Sequence, residues 1–231
     1  MAVLECNGLS KRYGSAVALD GVDLKAEPGR LLGLLGPNGS GKTTLIKIAC
    51  GLLQPSSGTV SIAGKTPGVE TKKLVSYLPD RMCLPRHMSA QQLLNMYADF
   101  YEDFDEQRAG ELLTRLDVRP ELRVRQMSKG TQEKVQLVLT MARRAKLYLL
   151  DEPIGGVDPA TRDFIIDTIM NNYAQDAAVV ISTHLISEVE RILDDVVFVD
   201  RGRIVMAGEA DDVRERSGKS VNDLFREVFR C

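Results

Sequence analysis

Gly36-Pro37-Asn38-Gly39-Ser40-Gly41-Lys42-Thr43 fits the phosphate-loop pattern G-x-x-x-x-G-K-[ST], and its flanks decide what the pattern means. Before it, Arg30-Leu31-Leu32-Gly33-Leu34-Leu35 is a short apolar run that reads as a buried strand. After it, Thr44-Leu45-Ile46-Lys47-Ile48-Ala49-Cys50 carries apolar residues at helical spacing. Strand, glycine loop and helix in that order predict a cradle for a nucleoside triphosphate, where an isolated match would read as a glycine-rich turn. Gly36, Gly39 and Gly41 let successive backbone N–H groups turn inward around a polyphosphate, and the helix N-terminus adds its positive end. Asn38, Ser40 and Thr44 complete the binding stretch. Lys42 is placed to neutralise the β- and γ-phosphates, and the Thr43 hydroxyl to hold Mg²⁺.

The composition fits such a domain. Hydrophobic residues make up 44% of the 231 and charged residues 27%, ordinary values for a globular chain that buries a core. Lys plus Arg number 30 against 32 Asp plus Glu, a net charge of −2, so the basic footprint of a nucleic-acid binder is missing. No nucleic-acid partner is expected. Cys6, Cys50, Cys83 and Cys231 are scattered, which predicts free thiols in a reducing compartment. The N-terminus, Met1-Ala2-Val3-Leu4-Glu5, has no signal-peptide pattern. No apolar run approaches the ~20 residues of a spanning helix, so the chain is not expected to cross a membrane itself.

Around the loop, the first part of the chain is strand-rich. Val3-Leu4-Glu5-Cys6 and Ala16-Val17-Ala18-Leu19 are separated by turn chemistry at Gly8 and Gly14, and Val22-Asp23-Leu24-Lys25 alternates. Residues 58–64 form another alternating strand between glycines. From 88 to 144 the spacing becomes helical, as in Leu93, Leu94 and Tyr97, then Leu112, Leu113 and Leu116, then Val135, Val138 and Met141. Strands then return at 147–150, 177–181, 196–199 and 203–206, with helices at 163–173 and 185–193 between them and small helices from 213 to the end. The expectation is an α/β fold: a phosphate-loop core with a mostly parallel sheet, an N-terminal antiparallel β subdomain and an inserted helical subdomain. Residues 1–231 form one domain, with 1–87 and 145–231 as core and 88–144 as the helical insert.

A phosphate loop needs a second strand that brings carboxylates to the metal. Leu149-Leu150-Asp151-Glu152-Pro153 supplies it, an apolar strand ending in two acids. Alternation would point the two side chains apart, but a turn at the strand end can present both. Asp151 is then placed for Mg²⁺ and Glu152 to polarise an attacking water.

With these elements the chain resembles the nucleotide-binding subunit of an ATP-binding cassette (ABC) transporter over essentially its whole length. Met127-Ser128-Lys129-Gly130-Thr131 stands where that family has its L-S-G-G-Q signature, which reaches ATP held by the other subunit of a head-to-tail dimer. Ser128 and Gly130 are kept, while Lys129 replaces a glycine and Thr131 a glutamine. The resemblance assigns Tyr13 to adenine stacking, Asp158 to the loop linking the two sites, and His184 to a γ-phosphate switch. Gly155 stands where a small polar residue is more common. His87, with no motif around it, is expected on the surface. Asp80, in Tyr77-Leu78-Pro79-Asp80, occupies the place of a glutamine that contacts Mg²⁺ or the attacking water; it is shorter, charged, and still able to ligate Mg²⁺.

The resemblance implies an ATPase that works with ATP and Mg²⁺. Two copies, as a homodimer or a heterodimer with a paralogous ATPase subunit, would sandwich two ATP molecules and drive a separately encoded membrane-spanning permease. The chain would then be cytoplasmic and peripheral on the inner face of the cell membrane. The permease groove is expected between Asp80 and Phe100, with Met82, Leu84 and Met88 offering adaptable apolar surface and Tyr97 and Phe100 mostly core. The short C-terminus and the Tyr-Leu-Pro-acid segment look most like bacterial ABC-2-type exporters. The interval from Lys42 to Ser128 is too short for the coiled coil of chromosome-maintenance relatives, and one cassette is present where translation factors have two. A nucleotide-dependent sensor that transports nothing is the alternative.

Overall fold

The first two strands are longer than their sequence pieces. The computed structural model describes residues 1–229, and position 160 by its backbone alone. β1 (Leu4–Tyr13) and β2 (Ala16–Ala26) form a continuous antiparallel hairpin. Gly8 does not end the strand as its turn chemistry predicts. It takes a φ of 56° at a register shift between Cys6 and Leu9, and its N–H donates to Asp23 Oδ1 at 2.6 Å. The bulge absorbs the glycine and the pairing resumes. β4 (Ser57–Ile62) pairs on the other side of β1, completing a three-stranded antiparallel sheet.

A second, six-stranded sheet holds β3 (Leu31–Leu35), β5 (Val75–Leu78), β6 (Leu147–Asp151), β7 (Ala178–Thr183), β8 (Asp195–Asp200) and β9 (Arg203–Glu209). Their order is β5-β6-β7-β3-β8-β9, parallel throughout except for the β8–β9 pair. β3, β6 and β7 are buried at every position, which is why they read as unbroken apolar runs. β5 is a four-residue strand at the sheet edge that sequence patterning does not single out. The α/β fold with a mostly parallel sheet and an antiparallel N-terminal sheet is thus as expected. Because the central strands are parallel and adjacent, the segments that follow β3, β6 and β7 leave the same sheet edge together.

The helices are α1 (Lys42–Ala49), α2 (Val69–Lys72), α3 (Ala90–Phe100), α4 (Glu106–Arg115), α5 (Lys129–Met141), α6 (Pro159–Asn172), α7 (Ile186–Val189), α8 (Ala210–Ser217) and α9 (Val221–Phe229). Ser89, Asp105, Ser128 and Asp158 cap α3, α4, α5 and α6, each accepting from the backbone N–H three residues on. The Asp158 cap and Pro159 start α6 before the predicted 163. The predicted helix 185–193 is α7 followed by a single 3-10 turn. Leu93, Leu94, Leu112, Leu113, Val135 and Val138 join in one core between α3, α4 and α5. Leu137 and Met141, also on α5, pack instead into the core that holds Tyr148 and Leu150 of β6. α5 therefore belongs to both cores. Tyr97 packs against the helical core as expected, but Phe100 is 78% exposed and corrects the expectation that it is core: it ends α3 on the outer face. His87 is exposed.

Candidate active site

The phosphate loop is held by contacts that leave no room for larger residues. A Cβ on Gly36 would stand 2.3 Å from the Val199 carbonyl oxygen and 2.7 Å from Ser40 Oγ. Gly41 caps α1 at φ 112°, and a Cβ there would meet the Ala18 carbonyl at 2.4 Å. Only glycine fits either position. The Gly202 N–H, in the β8–β9 turn, donates to the Ser40 carbonyl at 2.8 Å and ties the loop to that turn. Lys42 is only 6% exposed, and its Nζ donates to the carbonyls of Gly36 at 2.7 Å and Pro37 at 3.1 Å. Burial pulls its pKa down, while the charges of Glu152 and Asp151 oppose the shift.

Asp151, 1% exposed, ends β6 beside the loop. Its Oδ1 accepts from Thr43 Oγ1 at 3.1 Å and from Ser182 Oγ, while its buried Oδ2 has no protein partner among the described residues. Burial raises its pKa first of all; the Ser182 and Thr43 hydrogen bonds work against this, and the neighbouring charges of Asp80 and Glu152 add to it. Ser40 Oγ is likewise buried without a partner among the described residues.

Glu152 solves the problem of two acids pointing apart. Its φ of 51° lies in the left-handed region, which costs a non-glycine residue on the order of 1–3 kcal/mol. The backbone is held there by its N–H donating to the Ser182 carbonyl at 2.9 Å and its carbonyl accepting from Gly155 at 3.0 Å. The turned carboxylate accepts from Thr183 Oγ1 at 3.1 Å, sits 3.1 Å from His184 Nδ1 and 3.8 Å from Lys42 Nζ. Asp151 and Ser182 are in-register partners on β6 and β7, so Glu152 and His184 follow from adjacent strand ends.

These groups face a cleft of about 520 Å³ whose walls include Asn38, Gly39, Ser40, Gly41, Lys42, Thr43, Thr44, Asp80, Glu152 and His184. Six predicted residues do not line it: Gly36 and Asp151 lie just behind its wall, Gly36 as an acceptor for Lys42 and Asp151 as an acceptor for Thr43, and Tyr13, Ser128, Gly130 and Asp158 lie outside it. Tyr13, at the end of β1, pairs with Ala16 while the cleft wall reaches only Ala18; the Lys11 ammonium stands 5.3 Å from its ring centroid. Ser128 Oγ accepts from the Thr131 N–H at 3.1 Å, and a Cβ on Gly130 would meet nothing within 4 Å. Asp158 accepts from the N–H and hydroxyl of Thr161, which lower its pKa. Sequence reasoning missed Ser182 and Thr183, whose hydroxyls hold the two acids; the signal was two hydroxyl residues ending an apolar strand.

Comparison with known proteins agrees with this geometry. The family model described as "ABC transporter" matches residues 19–155. The chain is 31% identical to the daunorubicin resistance ATP-binding protein DrrA3 of Streptomyces coeruleorubidus, over 96% of this chain and 73% of that one. It is 29% identical to a Nod factor export ATP-binding protein I of Cupriavidus metallidurans, covering 92% of this chain and 73% of the relative. A solved ATP-binding subunit of an ABC transporter superposes with a TM-score of 0.88 at 31% identity, over 98% of this chain and 99% of its own. A dimeric bacterial ABC transporter cassette, at 20% identity and TM-score 0.77 over 89% and 98% of the two chains, shares the fold. Phosphate loop, acidic strand end and matched sequence lead to one conclusion: the chain belongs to the ABC transporter family, as one of its ATP-hydrolysing subunits.

Proposed function

We propose that two copies of this chain, or one copy and a paralogue, close around two ATP molecules and drive an export permease encoded separately. The observation that carries the reading is the split of the predicted site. Lys42, Thr43, Asp151, Glu152 and His184 converge within one chain, whereas Ser128 and Gly130 lie outside its cleft, with open space beside Gly130. A serine and a glycine at a helix N-terminus suit phosphate, and a second copy placed head to tail brings them to it.

Within the cleft, Lys42 exchanges its two loop carbonyls for phosphate oxygens. Glu152 orients and deprotonates the attacking water. Its carboxylate can only accept, so His184 donates from Nδ1 to hold it, and Thr183 fixes its other side. Tyr13 stacks on adenine at the cleft's open end, and Asp158 joins the two sites through the cap of α6. The unpartnered Asp151 Oδ2 and the Thr43 hydroxyl suit Mg²⁺, and Asp80 lines the cleft with Thr43 and a neighbouring cavity with Asp151. No cluster of three or more acidic, His or Cys ligands occurs among the described residues, so the ion depends on phosphate oxygens as well. When bound, Mg²⁺ neutralises charge developing on the β- and γ-phosphates.

No helix among the described residues is long and apolar enough to cross a membrane. In this reading the permease is a separate protein, and the chain works beside it at the inner face of the cell membrane. The exposed Met82, on the loop after β5, and Phe100, at the end of α3, offer the apolar docking surface, whereas Leu84, expected there, is buried in the helical core. Relatives named for Nod factor export and daunorubicin resistance favour export. Mixing Lys42→Ala with Ser128→Arg tests the composite site, since a mixed dimer holds one doubly damaged and one intact site. ATPase activity is expected to recover over either variant alone; no recovery in verified mixed dimers overturns the arrangement.

A further inference from the structure

Gln136 is 4% exposed, a buried amide two turns into α5 from Ser128 and about 12 Å along its axis. Its Oε1 accepts the Cys83 N–H at 3.1 Å and lies 3.7 Å from Cys83 Sγ, and its Nε2 donates to the Pro79 carbonyl at 3.4 Å. A backbone N–H only donates and a carbonyl only accepts, so the two partners fix which end of the amide faces each. Asp80, Arg81 and Met82, all exposed, lie between the two contacts. Asp80 lines the nucleotide cleft with Glu152, and also a second cavity of about 370 Å³ that Gln136 helps to wall.

A buried amide used only to fill the helical core would bond within that core. Gln136 instead spends both ends on the main chain of one short loop. α5 is fixed to the sheet as well, because Ser76 Oγ on β5 donates to the Thr140 carbonyl at 2.8 Å. The helix that begins at Ser128 thus grips the loop that carries Asp80. We propose that Gln136 is a positioning residue, clamping residues 79–83 to α5 and setting where Asp80 stands in the nucleotide cleft. This rests on the reading of Asp80 as a group of the hydrolytic site.

The test uses the full chain with Cys231→Ser, which leaves Cys83 as the accessible thiol because Cys6 and Cys50 are buried. Without nucleotide or metal, Gln136→Leu should raise the rate of Cys83 modification by ~5-fold, the scale of one lost hydrogen bond. Gln136→Glu keeps an acceptor for the Cys83 N–H and should raise it less. The unmutated chain supplies a measurement independent of any variant: the Cys83 amide should exchange hydrogen more slowly than Arg81 and Met82. With MgATP, Gln136→Leu should lower kcat several-fold while KM for ATP stays within about twofold. In an Asp80→Asn background it should add no further loss. A Cys83 amide that exchanges as fast as its neighbours, or a thiol rate unmoved by Gln136→Leu, overturns the clamp. An unchanged kcat, or losses that multiply, overturns the positioning role. An unmutated chain that protects Cys83 but hydrolyses no ATP overturns the reading of the site and the positioning role with it, while leaving the clamp itself standing.

Discussion

His184 Nδ1 stands 3.1 Å from both carboxylate oxygens of Glu152. The pair joins the ends of two adjacent parallel strands, and it exists only because Glu152 accepts a left-handed backbone. The strain is consistent with a carboxylate that must face the cleft and not the sheet.

Lys42→Ala removes the one lysine that lines the cleft among the described residues. Phosphate-release assays should show a loss of ~10²-fold or more, the scale of a preorganised charge. Circular dichroism should remain that of the folded chain. Near-normal turnover in a folded Lys42→Ala sample would remove Lys42 from the mechanism.

Two glycines should separate loop from signature. Gly36→Ala places a methyl 2.3 Å from a carbonyl oxygen and should destabilise the chain by about 1–3 kcal/mol in denaturant melts, with loss of ATP binding. Gly130→Ala meets open space and should leave the melt of the isolated chain unchanged or slightly improved. It should nonetheless slow hydrolysis, because in the proposed dimer Gly130 meets the other chain's ATP. Equal stability of the two variants would contradict the loop packing.

Asp105 caps α4 and also accepts from Arg144 at 3.0 Å. The Arg108 N–H hydrogen bond first, and then Arg144, holds its pKa below the ordinary 3.8. Because the folded value is the depressed one, its stabilisation is present above the unfolded value and is lost as pH falls through the folded one. Asp105→Ala should therefore cost about 1 kcal/mol at neutral pH, a gap that closes in acid below that range. A pH-independent gap would show that the carboxylate charge does not matter.

The local strings were legible because their chemistry is contiguous: eight residues form the phosphate loop, and Asp151-Glu152 end one apolar run. What holds those acids was hidden, since Ser182 and Thr183 reach them through the register of β6 with β7, which one sequence does not display. Gly8 looked like a turn because a bulge uses the same left-handed residue. Phe100 looked like core because its spacing matches Tyr97 and Leu93; its place at the end of α3 turns it outward. The Gln136 contacts were out of reach for a similar reason, as a polar residue amid an apolar helix gives no sign of its partners 53 and 57 positions away.

The most direct test of the ATP sandwich is the mass of Glu152→Gln in solution by size exclusion with light scattering. Glutamine keeps the side chain's size but cannot take the proton from water, so ATP stays bound and hydrolysis falls by ~10²-fold or more. In the proposed sandwich each retained nucleotide then bridges two chains. The mass should be that of one chain without nucleotide and of two with ATP. A single-chain mass at saturating ATP would contradict the composite site.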